Sequence, residues 1–381
     1  KIGFFKNLST KYHTIIFTLK FIPSFKAFMR FVRCYLRVNL LKKNQIRFVE
    51  IFVTLACNAR CDFCSNGLFT EKKGNISLEK YLDIIDQCAE LDVPVVCLIG
   101  GEPLLYNDLN TLIKRISYHG MVSMIATNGS LLTEEKVKEL AECGLNNITI
   151  SVHSLDKEEH DAALKLKGAY DKAFKAKEYC DKYGIIFQLA SVASHKDFTS
   201  GNFDKMVKFV EEKKIPLSVN AIVPTGFAHA QKELLLANED VEKLNRISYQ
   251  SNYVSTHLTN NFFGFGCPAG NSYLGINATG EMFPCFFIPV SLGNVHEMSL
   301  REAWQKALRS PLFTKRHKMC YAGVSREFVG NYMDPIFKFN KVPIPIEDHP
   351  LYDKMQGGLP DLKISEVKEA AECLPEQAKN Q

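Results

Sequence analysis

Three of the chain's twelve cysteines fall within eight residues, in Cys57-Asn-Ala-Arg-Cys61-Asp-Phe-Cys64. Crowding of this kind reads as metal ligation. A disulfide framework is not needed by a chain of 381 residues, long enough for two or three domains with ample core. A Cys-x3-Cys-x2-Cys loop folds three thiolates around one centre. Structural zinc takes four closed ligands, whereas three thiolates suit a [4Fe-4S] cube with one iron left open. A zinc site completed by a remote fourth cysteine, or three unconnected buried thiols, are the plainer alternatives.

The elements that must position this loop are legible as alternation. Apolar runs that read as strands are Phe48–Leu55, Val95–Ile99, Val122–Thr127, Asn147–Val152, Ile185–Ser191 and Leu217–Ile222. Between them lie amphipathic segments: Leu78–Leu91, Asp108–His119, Glu134–Cys143, Tyr170–Tyr183 and Phe203–Lys213. Six such units imply a parallel α/β sheet, and they are too few for a closed eight-stranded barrel. Residues 225–265 read as polar and helical, with a start at Asn238-Glu239-Asp240. Residues 267–323 read as turns and short strands followed by a helix at Leu300–Leu308, and residues 334–381 as a proline-rich extended tail.

Hydrophobic residues make up 46% and charged residues 23% of the chain, which excludes disordered, collagen-like and low-complexity classes for most of it. No run of about 18 uncharged apolar residues marks a transmembrane helix. With no visible signal peptide and thiols that read as reduced, the chain is expected in the cytoplasm. The net charge of +5 is uneven: residues 1–47 hold eleven Lys or Arg and no acid, which leaves the rest at −6. In this arm Pro23-Ser24 reads as a helix start. Lys26, Arg30, Arg33 and Arg37 then share one helical face, and Phe25, Phe28, Met29, Val32, Tyr35 and Leu36 fill the other. Tyr12–Ile22 before it is also apolar and basic. The pattern is that of a helix lying in a membrane interface, with packing onto the next domain as the alternative.

The cysteine loop after the first strand, Phe63 before its third cysteine, and Gly100-Gly101-Glu102-Pro103 after the second strand together resemble the radical S-adenosylmethionine (SAM) enzymes. The resemblance covers residues 48 to about 225. It implies a partial (β/α)6 TIM-like barrel in which Cys57, Cys61 and Cys64 hold a [4Fe-4S] cluster whose open iron chelates SAM. It further implies that the carbonyls of Gly100 and Gly101 and the Glu102 carboxylate receive the SAM amine, and that Phe63 lies near adenine. Thr127, Asn128, Ser151 and Ser191, at strand ends, would bind ribose or the methionyl group, or else serve ordinary turns. His160-Asp161 is followed three residues on by Leu164, where relatives often have an arginine, so Lys165 or Lys167 would stand in for it. The implied reaction is reductive cleavage of SAM to a 5′-deoxyadenosyl radical that abstracts hydrogen from a substrate, with an electron donor such as flavodoxin or ferredoxin.

A second part of the chain is similar to that family's SPASM or twitch extension. Pro224-Thr225-Gly226-Phe227-Ala228 matches its lead-in, Ile276-Asn277-Ala278-Thr279-Gly280 its hairpin turn, and Cys267, Cys285 and Cys320 its ligands. One auxiliary [4Fe-4S] cluster is therefore expected. Gly323 stands where a further cysteine is usual, so the fourth site is either open or filled by a remote group such as Cys373. The resulting division is an arm at 1–47, a barrel at 48–225, an auxiliary-cluster domain at 226–333 and a tail at 334–381. The arm favours a lipid or membrane-borne substrate, with the enzyme peripheral on the inner face of an anionic membrane. A ribosomal peptide and a small sugar-like molecule are the alternatives. Outside the enzyme class stand an iron–sulfur scaffold and nucleic-acid binding, the last disfavoured.

Overall fold

A computed structural model describes residues 22–68, 75–229, 231–257, 267–310, 313, 320–339 and 341–352. It opens with helix α1 (Phe25–Asn39), capped by the Ser24 hydroxyl, which accepts from the Ala27 amide. There follow β1 (Phe48–Phe52), α2 (Leu78–Glu90), β2 (Val95–Ile99), α3 (Leu109–Tyr118), β3 (Val122–Thr127), α4 (Glu134–Glu142) and β4 (Asn147–Ser151). Next are α5 (Lys157–Leu164), α6 (Ala169–Tyr183), β5 (Ile186–Ala193), α7 (His195–Thr199), α8 (Asn202–Lys213), β6 (Leu217–Ala221), α9 (Asn238–Gln250) and β7 (Val254–Thr256). The described remainder is β8 (Tyr273–Ile276), β9 (Glu281–Phe283), β10 (Val290–Ser291), β11 (Gly293–Asn294), α10 (Leu300–Arg309), short turns and β12 (Ile344–Pro345).

β1 to β7 pair in sequence order, all parallel. On the other side of β1 stands β8, also parallel, followed by antiparallel β9 and β11. The result is one open ten-stranded sheet, a partial TIM-like barrel that does not close. The division drawn at residue 225 does not divide this sheet, because β7, β8, β9 and β11 all come from beyond it. The core is equally continuous, running from Ile46 on one side of β1 to Ile344 and Ile346 near the described end. Residues 334–352 do not run as a plain extended segment. They fold through short turns that bury Ile336 and His349, and β12 pairs with β10. The stretch Tyr12–Phe21, the end of the tail and Cys373 lie outside the described residues.

Strand parity gives the wall two faces. Along β5, Phe187, Leu189 and Ala193 are buried against helices, while Ile186, Gln188, Ala190 and Val192 are half-buried toward the lumen. In a parallel α/β layer, helices end where strands begin. The carboxyl ends of β2 and β3, at Ile99 and Thr127, therefore lie at the opposite rim from the carboxyl ends of α2 and α3.

That geometry corrects the expectation for the arm. The cations of α1 reach toward the body of the barrel, although Lys26 and Arg33 stay exposed. Arg30 is buried and donates to the carbonyls of Ala89 (3.1 Å) and His119 (3.2 Å), at the ends of α2 and α3. Lys26 donates to the carbonyl of Tyr118 (3.2 Å). Cations there satisfy carbonyls that a helix leaves unpaired and meet the negative end of its dipole. Arg30, Arg33 and Arg37 all pair with Asp92, at 3.1, 2.7 and 3.3 Å. α1 thus sits under the amino ends of β2 and β3. It cannot bring the mouth of the barrel to a surface.

Candidate functional site

The cysteine loop leaves β1 and is stitched to its surroundings by backbone. Gly101 N–H donates to Thr54 O and Glu102 N–H to Ala56 O, both at 2.8 Å. This approach is why the position after Gly100 is glycine. A Cβ on Gly101 would lie 2.2 Å from Ala56 O, which is backbone and cannot turn aside. The two glycines therefore bring the second strand's loop against the cysteine loop. At its far end, Arg60 N–H donates to Leu164 O (3.0 Å), and Gly226 lies on the Cys64–Ser65 backbone, where a Cβ would come within 2.6 Å of Cys64 O. Pro224-Thr225-Gly226, expected as a lead-in to the second region, thus also braces the first.

Cys57, Cys61 and Cys64 are half-buried and close enough to disfavour one another's ionisation. Burial first, and then the neighbouring thiolates of Cys64 and Cys57, push Cys61 up to about 12. Three thiols gathered on one loop are a donor set that metal binding would deprotonate. Three thiolates suit a cluster with one iron left open, whereas structural zinc takes four closed ligands.

Glu102 is fully buried. Its carboxylate accepts from the Thr127 hydroxyl (2.6 Å), the Asn128 amide (2.9 Å) and the Leu104 amide (3.1 Å). These bonds tie the loop after β2 to the end of β3. Burial raises the Glu102 pKa, and the three hydrogen bonds only partly offset this. Asn128 is committed likewise: its side-chain amide donates to Asn58 Oδ1 (2.8 Å), and Asn58 donates to Ser130 Oγ (2.9 Å). Thr127 and Asn128 therefore position the cysteine loop through Glu102 and Asn58. Asn66 donates to Gly100 O (3.2 Å), so that carbonyl keeps one lone pair free.

Ser151 ends β4 half-buried on the lumen side. Ser191 does not belong with it. Its register partner is Val219, and it shares parity with Leu189 and Ala193, so it faces the helices. β5 runs two residues beyond the expected end, and strand parity rather than nearness to an end decides the face. Lys165, in left-handed conformation after α5, pairs with Asp62 in the cysteine loop, and both are more than half exposed. His160 is buried, and Asp161 accepts from the Tyr170 amide (2.9 Å) and the Gly168 amide (2.5 Å) at the start of α6, so this pair serves the turn.

Sequence reasoning missed several residues here. His153 meets Phe63 edge-on, with ring centroids 4.7 Å apart, and its Nδ1 accepts from the Val192 amide (3.4 Å). Burial, aided by His160, brings its pKa down to about 4, which keeps it neutral. Asn58, inside the motif, and Ser130, two residues beyond Asn128, could have been noted only as polar neighbours. Lower in the lumen, Tyr273 donates to Glu50 Oε2 (2.5 Å). Burial raises the Glu50 pKa, and the tyrosine lowers it in part.

The second set of cysteines also converges. The Cys320 thiol hydrogen-bonds Cys267, which holds Cys267 below and Cys320 above the ordinary thiol range. Cys285 is pushed up by burial and then by Cys267. Gly270 N–H to Pro284 O (2.8 Å) joins the two segments, and Trp304 of α10 donates to Asn271 O (3.1 Å). The expected hairpin is present between β8 and β9, with Asn277 Oδ1 accepting from the Thr279 and Glu281 amides. These thiols and the Cys57 loop stand toward opposite ends of the barrel, since Tyr273, just after Cys267, is level with Phe48 at the start of β1.

Comparison with known proteins agrees with this layout. Residues 51–197 match the family model of the Radical SAM superfamily, and residues 267–322 match SPASM, an iron–sulfur cluster-binding domain. The AdoMet-dependent heme synthase of Methanosarcina barkeri is 25% identical over 297 residues, covering 69% of this chain and 83% of that protein. The PqqA peptide cyclase of Rhizobium meliloti is 28% identical over 273 residues, covering 67% and 72%. Among solved structures, Streptococcus suis SuiB aligns with a TM-score of 0.60 at 19% identity, over 80% of this chain and 77% of that one. SuiB has also been solved bound to the precursor peptide SuiA.

Proposed function

The chain is a radical SAM enzyme with a SPASM extension, and on that premise we propose that it modifies a peptide rather than a lipid. When bound, the [4Fe-4S] cluster and SAM supply one-electron chemistry, and the SPASM domain holds further iron–sulfur. Cys57, Cys61 and Cys64 would hold the first cluster. Cys267, Cys285 and Cys320 would hold an auxiliary one. The free lone pair of Gly100 O and the carbonyl of Gly101 are the acceptors for the SAM amine, with Phe63 beside the adenine and Ser151 facing the ribose side. Glu102, Thr127, Asn128 and Asn58 hold those carbonyls in place, and Lys165 steadies the loop through Asp62.

The observation that carries the substrate class is the lumen wall. Strand parity turns Thr149, Gln188, Ser218 and Asn220 inward among apolar neighbours such as Ala190 and Val192, with the Glu50 carboxylate below them. Among the described strand residues of that face there is no Lys or Arg. Side chains that both donate and accept suit a polyamide backbone. An acyl chain would offer Gln188, Ser218 and Asn220 no hydrogen-bond partner, and a tetrapyrrole's carboxylates would find no counter-charge on these strands. The peptide-acting relatives support the same reading. The lipid reading rested on an arm that faces the wrong rim.

The test is coexpression with the short open reading frames beside the gene, followed by mass spectrometry of each peptide. A peptide altered only when the intact enzyme and its Cys57 loop are present supports the proposal. Unaltered peptides, together with conversion of a carboxylate-bearing tetrapyrrole, would overturn it.

A further inference from the structure

Among the described residues, α1 is held with its apolar side turned to solvent. Ala27, Arg30, Cys34 and Val38 are buried on one side, while Phe25, Tyr35 and Leu40 are 77%, 62% and 70% exposed on the other. Phe28 and Leu36 extend the same stripe. The helix cannot roll to hide it, because Arg30, Arg33 and Arg37 are fastened to Asp92 and to the ends of α2 and α3. A continuous apolar stripe on a globular surface marks an interaction site.

The charges around the stripe indicate its partner. Lys42 and Lys43, both exposed, follow directly on the exposed Leu40 and Leu41. The 21 residues before Ile22 hold Lys1, Lys6, Lys11 and Lys20 and no acid. An apolar strip that runs directly into the exposed Lys42 and Lys43 matches the boundary between anionic headgroups and acyl chains. A second copy of this chain would bring the same cations against themselves, because a two-fold interface pairs like with like.

We propose that the apolar stripe of α1 docks this protein on an anionic lipid bilayer, at the rim of the barrel opposite the cysteine loop. The lipid contact is then a tether and not a substrate channel. Strands of five or six residues separate the two rims by roughly 17–20 Å, so the mouth faces water and draws its substrate from solution. This inference does not rest on the peptide reading, and either can fail alone.

The experiment is co-sedimentation of the full reconstituted chain with vesicles of phosphatidylcholine containing phosphatidylglycerol, and with phosphatidylcholine alone. Binding is expected to the anionic vesicles and to weaken with added salt. The variant carrying Phe25→Ser, Tyr35→Gln and Leu40→Gln should lower partitioning by roughly a hundredfold, since each of those side chains gives up its burial in lipid. Its thermal midpoint should stay unchanged, because those three side chains are mostly exposed. Full-length protein that ignores anionic vesicles overturns the proposal, as does a triple variant that binds like the parent. Deletion of residues 1–21 that abolishes binding which the triple variant retains would place the anchor elsewhere. A dimer in sedimentation velocity that the triple variant dissolves would assign the stripe to a second copy instead.

Discussion

Glu102→Gln separates positioning from stability at the site. The carboxylate is fully buried and accepts three hydrogen bonds, from Thr127, Asn128 and Leu104. Its pKa is raised by burial, so folding favours the protonated form. The stability it contributes is present below the ordinary glutamate value and is lost as pH rises through the raised one. Burying the carboxylate therefore costs stability as pH rises, and its benefit lies in where it holds its partners. Glutamine keeps the shape and one acceptor oxygen. If that oxygen serves Thr127 and Leu104, the amide nitrogen confronts the Asn128 N–H, and one charge-assisted hydrogen bond of about 1.5–3 kcal/mol is lost. Relief of the buried charge offsets much of this, leaving a stability change of about 1–2 kcal/mol or less. Displacing Asn128 moves Asn58, however, and with it the cysteine loop. SAM affinity should fall roughly tenfold, equivalent to about 1.4 kcal/mol. Calorimetric titration of SAM into the reconstituted variant, beside a thermal melt, reads both numbers. Unchanged SAM affinity at full iron content would refute the reasoning, because the carboxylate would then be positioning nothing.

Other expectations follow from single contacts. Asp92→Asn should destabilise the protein by about 2 kcal/mol, because Arg30 is left buried without its partner. Although burial alone would raise it, the Asp92 pKa is held low by Arg33 first and then by the neighbouring arginine charges. Its contribution is therefore present above the ordinary carboxylate value and is lost as pH falls through the depressed one, which chemical denaturation across acid pH can follow. Gly101→Ala forces a Cβ to within 2.2 Å of Ala56 O. Iron content should drop by about four from the roughly eight of a chain holding two [4Fe-4S] clusters, and parental iron content would show that the loop tolerates the shift. The His153 pKa is lowered to about 4, so its stabilisation is present at neutral pH and fades between 6.5 and 4. His153→Gln should flatten about 3 kcal/mol of that pH dependence, leaving the share of His257, whose pKa also comes down to about 4.

Much of the barrel was legible because its alternation is locally encoded. Val95–Ile99 is a continuous apolar run and Val122–Thr127 a largely apolar one, and Ser77 and Thr133 cap the helices that follow β1 and β3, so the expected bounds agree with the structure to within a few residues. What could not be read was orientation. The periodicity of α1 separates a basic from an apolar side but does not say which meets the core. The answer lies in Asp92 and in two distant helix ends, which are tertiary facts. Ser191 failed for a related reason: its strand runs on to Ala193, so it is not a strand end and its parity turns it outward. The joining of β8 to β1 was hidden because a parallel neighbour 225 residues along the chain leaves no local trace. At the site, residue types pointed correctly to a cluster, while the roles of Glu102 and Asn128 emerged only when their hydrogen-bond partners were visible.

That Cys57, Cys61 and Cys64 hold the cluster that engages SAM is tested most directly by incubating the anaerobically reconstituted, reduced protein with SAM and measuring 5′-deoxyadenosine. The parent should release it, and Cys61→Ala should release none while keeping the iron held by Cys267, Cys285 and Cys320. Continued release from Cys61→Ala would contradict the assignment.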